Sequence, residues 1–144
     1  MRIFELIRLQ TRFSGRSSRS RAVDRAYANF RAERIKRYGD DAPCPLCDDI
    51  ANRVVVQSLP TLNVVENDFP YYIYSGKEVQ SHLMMAPKRH IASFSDFTTE
   101  EQSDYWKTLH QYSIAGYDAV TTAADSPRRT VPQHLHTHLL RVRE

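Results

Sequence analysis

Only two cysteines occur in this chain, and they sit three residues apart in "CPLC" as Cys44 and Cys47. A single close pair cannot form a disulfide framework; in a cytosolic chain it reads first as half of a metal site and second as a redox pair. No run of about 18 apolar residues is present, so no segment is expected to span a membrane. An apolar stretch ending in a small-residue cleavage site is also missing, so secretion is not expected and a cytoplasmic location is. Net positive charge is missing from most of the chain. The overall +3 hides an asymmetry: residues 1–40 carry eleven Arg and Lys against four Asp and Glu, and the remainder carries nine against thirteen. The basicity belongs to an extension and not to the domain that holds the chemistry. That domain is ordinary in composition, in a chain of 144 residues that is 41% hydrophobic and 26% charged, which is enough to bury a core without staples.

The chain divides into a basic, partly helical extension over 1–40 and a domain over 41–144. Residues 1–13 are apolar and arginine-bearing with rough helical spacing, and "SGRSSRSR" at 14–21 is a polar linker. Val23, Tyr27, Phe30 and Tyr38 then recur near a 3.6-residue period, which predicts an amphipathic helix over 22–38, stopped by Gly39. Residues 1–37 are a candidate nucleic-acid contact, with a solvated helix packed on the domain as the plainer reading. Beyond residue 41, "NRVVVQS" (52–58) and "LNVVEN" (62–67) are β-branched runs that predict two strands, and "SHLMMAPK" (81–88) a third. A capping-box pair, Thr98 and Glu101, opens a predicted helix with Tyr105, Leu109 and Tyr112 on one face and Trp106 beside them. "YDAVTT" predicts a further strand, "AADSPRR" a loop, and "QHLHTHLLR" (133–141) the last strand. This order predicts an α+β domain built on an antiparallel sheet.

Half of the six histidines fall in that last strand, at every second position: His134, His136 and His138. Residues i, i+2 and i+4 of a strand share a face, so the three imidazoles line one side, and Leu135, Thr137 and Leu139 line the other. The leucines suit a core, which leaves the histidines beside a cleft. A row of imidazoles serves metal binding, or nucleophilic and acid–base chemistry near neutral pH.

"HLHTHLL" resembles the histidine triad motif of the HIT superfamily of nucleotide hydrolases and transferases, with Thr137 in place of one apolar residue. The resemblance extends through "CPLCDDIANRVVVQS", "VVENDFPYY", "SHLMMAPKRHIASFSDFTTEE" and "TVPQHLHTHLL", over about residues 43–141. In wording it is most similar to bacterial diadenosine-polyphosphate hydrolase or phosphorylase-like members. It implies the HIT-like α+β fold, with a long helix packed on the sheet, and a homodimer. It also implies a nucleotidyl–histidine intermediate on His136, formed at the α-phosphate of a purine nucleotide derivative such as a diadenosine polyphosphate or an adenylate phosphoramidate. His138 would contact phosphate oxygens and the leaving group. Asn67 would hold the ribose, with Asp68 as the neighbouring alternative and Phe69 beside the base. Cys44, Cys47, His90 and His134 map onto the set with which some members bind one structural zinc ion per chain; four protein ligands close the tetrahedron and leave no place for water.

The pattern also departs from the family. Arg128 and Arg129 stand where glycines are usual before the triad, with Thr130 and Gln133 nearby, so a phosphate clamp there would be rebuilt on arginine. "KEVQSH" replaces the usual proline–glycine before His82, and no proline follows the triad. Two other functions stay open at this point: a degenerate HIT domain that binds nucleotide or protein without turnover, and a nucleic-acid-associated protein that works through its basic arm.

Overall fold

The computed structural model describes residues 18–48, 53–123, 126 and 131–144. The expectations for residues 1–17, and those for Arg128, Arg129 and Thr130, lie outside the described residues. Helix α1 (Arg21–Tyr38) starts where Ser20 accepts a hydrogen bond from the Val23 N–H, and stops at Gly39, whose positive φ of 60° suits glycine. A short helix, α2 (Pro45–Asp48), carries the second cysteine. Strands β1 (Val55–Ser58), β2 (Leu62–Glu66), β3 (Ile73–Tyr74) and β4 (Lys77–Pro87) follow. Helix α3 (Thr99–Ile114), β5 (Asp118–Val120) and β6 (Thr137–Val142) complete the order. None of the described helices is long and apolar enough to cross a membrane.

Every strand pairing is antiparallel, with the order β1-β2-β4-β6-β5 and β3 against β4. The β3–β4 hairpin was not expected from the sequence. Its turn, Ser75-Gly76, holds both residues at positive φ (50° and 75°), the geometry of a tight two-residue hairpin. The hairpin lengthens β4 back to Lys77, beyond the expected start at residue 81. The expected start of the first strand, Asn52, lies outside the described residues, and pairing begins at Val55.

Alternation along β4 sorts the two faces of the sheet. Leu83 and Met85 join Leu62, Val64 and Leu139 against Tyr105 and Tyr112 of α3, which forms the main core. Met84 turns the other way, with Val65 and Leu46. The capping box at Thr98 and Glu101 is present, and Arg89 pairs with the same glutamate at 2.8 Å. Asp104 ties α3 to the β1–β2 turn by accepting from the Thr61 hydroxyl at 2.7 Å and its N–H at 3.1 Å. Trp106, expected beside the apolar face, is 64% exposed. One residue past Tyr105, it has rotated about 100° off the buried stripe.

Candidate active site and metal centre

The last strand begins four residues late. The sequence predicts pairing from about Gln133, but β6 pairs only from Thr137, whose partner is Met85. Two positions earlier, the same register would bring Leu135 opposite Pro87, which has no N–H for the ladder. The Leu135 N–H goes instead to the Ile91 carbonyl at 2.7 Å. His134 and His136 therefore lie on the approach to β6, and His138 lies within it. Leu135, Thr137 and Leu139 are 1%, 1% and 0% exposed, as the alternation predicts for the core-facing side.

Release from the ladder separates His134 from its neighbours. It is fully buried, and its Nε2–H donates to the Pro87 carbonyl at 2.9 Å. That bond places the ring's lone pair on Nδ1, which lies 3.3 Å from the Cys47 sulfur and 3.5 Å from the Cys44 sulfur. His90 Nδ1 stands 3.2 Å from the Cys47 sulfur. One ligand atom from each of these four residues falls within 4.8 Å of all the others. In a tetrahedral zinc site the metal–ligand lengths set sulfur–nitrogen edges of about 3.5 Å. Two thiols and two imidazoles at this spacing fit that geometry.

His136 is oriented the other way round. Its Nδ1–H donates to the His134 carbonyl at 3.0 Å, which puts the lone pair on Nε2. Beside it stands His138, with ring centroids 5.2 Å apart. The orientation of His138 comes from a residue that the sequence reading did not place in the site, His82. The register sets His138 opposite Met84, and His82 lies two residues before Met84, so both imidazoles share one face as diagonal neighbours. The Tyr71 N–H can only donate, and it donates to His82 Nδ1 at 2.9 Å. The proton of His82 is then on Nε2, and it donates to His138 Nδ1 at 2.8 Å. His138 in turn carries its proton on Nε2. Burial, and after it the charge of Arg19, lowers the pKa of His82 to about 3. Burial, and after it the neighbouring His82, His136 and Arg19, lowers that of His138 to about 3 as well. Both rings are neutral at pH 7, as this hydrogen-bond chain requires.

A cavity of about 240 Å³ opens over this face. His136, His138, Asn67 and Phe69 line it, with Leu46, Met84 and Val131 as apolar floor. Asn67 is held by a bond from the Phe69 N–H to its Oδ1 at 2.8 Å, and its amide nitrogen lies 3.2 Å from His82 Nε2. Asp68 is outside the lining; it pairs with Arg53 at 3.4 Å. Gln133 is exposed in a turn and also lies outside the lining. The opposite wall comes from the basic segment. Tyr27 and Phe30 of α1 pack on Phe69 with centroids 4.9 and 5.2 Å apart, and Arg31 and Arg34 follow on the same helix face. Period-3.6 spacing had marked Tyr27 and Phe30 as an apolar stripe, but nothing in the sequence says which surface that stripe meets.

No family model matches the chain. Solved structures do. It superimposes on a HIT family hydrolase from Legionella pneumophila with a TM-score of 0.52 and 23% identity, over 71% of this chain and 95% of that one. A HIT family hydrolase from Clostridium thermocellum gives 0.53 and 18%, over 70% and 91%. A hypothetical histidine triad nucleotide-binding protein from Sulfolobus tokodaii gives 0.56 and 17%, over 70% of each chain. The chain thus has the α+β fold of the histidine triad proteins, with its own triad histidines at one end of the central strands.

Proposed function

We propose that the protein is a nucleotide hydrolase or nucleotidyl transferase that works through a covalent intermediate on His136. The observation that carries this reading is the pair of complementary tautomers at the cavity floor: an Nε2 lone pair on His136 and an Nε2–H on His138. Neutral imidazole is a good nucleophile near pH 7. In the first step His136 Nε2 bonds to the α-phosphorus and the bond to the leaving oxygen breaks. Nδ1–H stays on the His134 carbonyl and shares the positive charge that forms on the ring. The leaving group departs as an oxyanion when it is phosphate, and the Nε2–H of His138 donates to it. In the second step a water oxygen bonds to phosphorus and the nitrogen–phosphorus electron pair returns to His136. One water hydrogen stays on the nucleoside monophosphate and the other leaves as a proton.

Asn67 supports the ribose in this reading, and Phe69 borders the base. Arg128, Arg129, Thr130 and Gln133 are the candidates for the phosphate side of the loop before the triad. Cys44, Cys47, His90 and His134 would hold one Zn²⁺. With four protein ligands the ion would supply structure only, tying α2 and the turn after β4 to the approach of β6. The test is a trap. Substrate labelled at the α-phosphate, mixed with enzyme and quenched in alkali, should leave an acid-labile, base-stable label on the native protein. His136→Ala should remove the label and lower turnover by about 10³-fold or more, while AMP still binds. Near-native turnover in that variant would overturn the assignment and favour direct attack by water.

A further inference from the structure

Helix α1 has no buried residue, yet it is fixed in place. Ahead of it Ser18 exchanges backbone hydrogen bonds with Ile73 of β3, and the Arg19 Nε–H donates to the Phe69 carbonyl at 2.8 Å. The inner face of the helix, with Tyr27, Phe30 and Arg31, is thereby held over the cavity. Arg31 is exposed, and the one contact of its guanidinium among the described residues is with the Tyr27 ring, at 5.8 Å. The domain wall contributes Arg53. Its side chain is only 7% exposed, its ion pair with Asp68 is 3.4 Å long, and its Nε–H has no acceptor among the described residues. Arg53 lines the cavity, and a guanidinium in a cavity wall is met best by an anionic oxygen from the ligand. The described lining holds four arginines, counting Arg19 and Arg34, and no aspartate or glutamate.

We propose that Arg53 and Arg31 form an anion subsite for the phosphates beyond the one at which His136 reacts. Helix α1 is then a specificity element of the cleft. This rests on the nucleotide reading above and narrows it: the cleft selects nucleotides whose leaving group is itself phosphate, over those that release an amine. An amine leaving group is cationic once protonated and would be repelled by this wall.

Equilibrium titration of the full chain with AMP and with α,β-methylene ATP, whose α–β bridge is not cleaved, tests it. The native protein should bind the analogue at least about tenfold tighter than AMP. Arg31→Glu and Arg53→Gln should each cut that ratio about fivefold or more and leave AMP affinity within about twofold. Arg31 is exposed, so Arg31→Glu keeps the test valid if Arg53→Gln fails to fold. A native ratio near one, a ratio unchanged by Arg31→Glu, or equal loss of both ligands would overturn the subsite while AMP binding leaves the nucleotide reading standing. A native protein that binds neither ligand overturns both.

Discussion

His134 and His136 are two residues apart on one extended segment, and they use opposite nitrogens. His134 donates from Nε2 to the Pro87 carbonyl and presents Nδ1 to two thiols. His136 donates from Nδ1 to the His134 carbonyl and presents Nε2 toward the cavity. One residue type thus stands in a candidate metal site at one end of the triad and as a candidate nucleophile at its middle. A single carbonyl next to each ring makes the choice, because whichever nitrogen it engages keeps the proton and the other keeps the lone pair.

Removing a thiol should abolish the difference at its metal end. Purified native protein, never exposed to chelators, should carry about one zinc ion per chain. Cys44→Ser should lose the metal and several kcal/mol of stability together, because metal-binding free energy appears as folding free energy. Elemental analysis and thermal unfolding of the same samples check this, and a metal-free native protein would contradict it.

The cleft end should respond to acid. His82 has a folded-state pKa near 3 and an ordinary one near 6.5 when unfolded. Between these values the unfolded chain binds more protons, so stability is full above about pH 6.5 and falls as pH drops toward 3. One such histidine contributes a slope of about 1.4 kcal/mol per pH unit in that window. His82→Phe should flatten the curve by about that slope relative to the native protein in chemical unfolding at pH 4.5–7. Parallel curves would mean that His82 is charged in the folded protein.

The same position tests the proton arrangement at His138. Phenylalanine cannot donate to His138 Nδ1, so His82→Phe should lower kcat about 10- to 100-fold with little change in KM. His82→Gln, whose amide can donate, should recover much of the loss. Equal defects in both variants would make His82 a packing residue only. The smallest effect is expected at Asn67. Asn67→Ala should raise KM about tenfold, the value of one or two hydrogen bonds to a ribose, and change kcat less. An unchanged KM with a collapsed kcat would contradict a substrate-holding role.

The elements legible in the sequence were those specified by neighbours along the chain. Gly39 stops one helix, and Thr98 with Glu101 opens another, through bonds that span three or four residues. Alternation put Leu135, Thr137 and Leu139 into the core because a strand's faces repeat every second residue. The hairpin turning at Ser75-Gly76 was not read from the sequence, because the two-residue strand before it is too short to show a pattern.

The triad and the cysteine pair were visible as types in a spacing. Which nitrogen His134 and His138 present was not, because that choice belongs to the Pro87 carbonyl, 47 residues from His134, and to the Tyr71 N–H acting through His82. Only the register of β4 on β6 brings His82 to His138. The docking of Ser18 on β3, with Arg19, Tyr27 and Phe30 on Phe69, carries α1 over the cavity, where Arg31 and the buried side chain of Arg53 line one space. Local spacing fixes what a segment can form, since those bonds close within a few residues. Proton positions and cavity walls depend on groups that meet only after the sheet has closed.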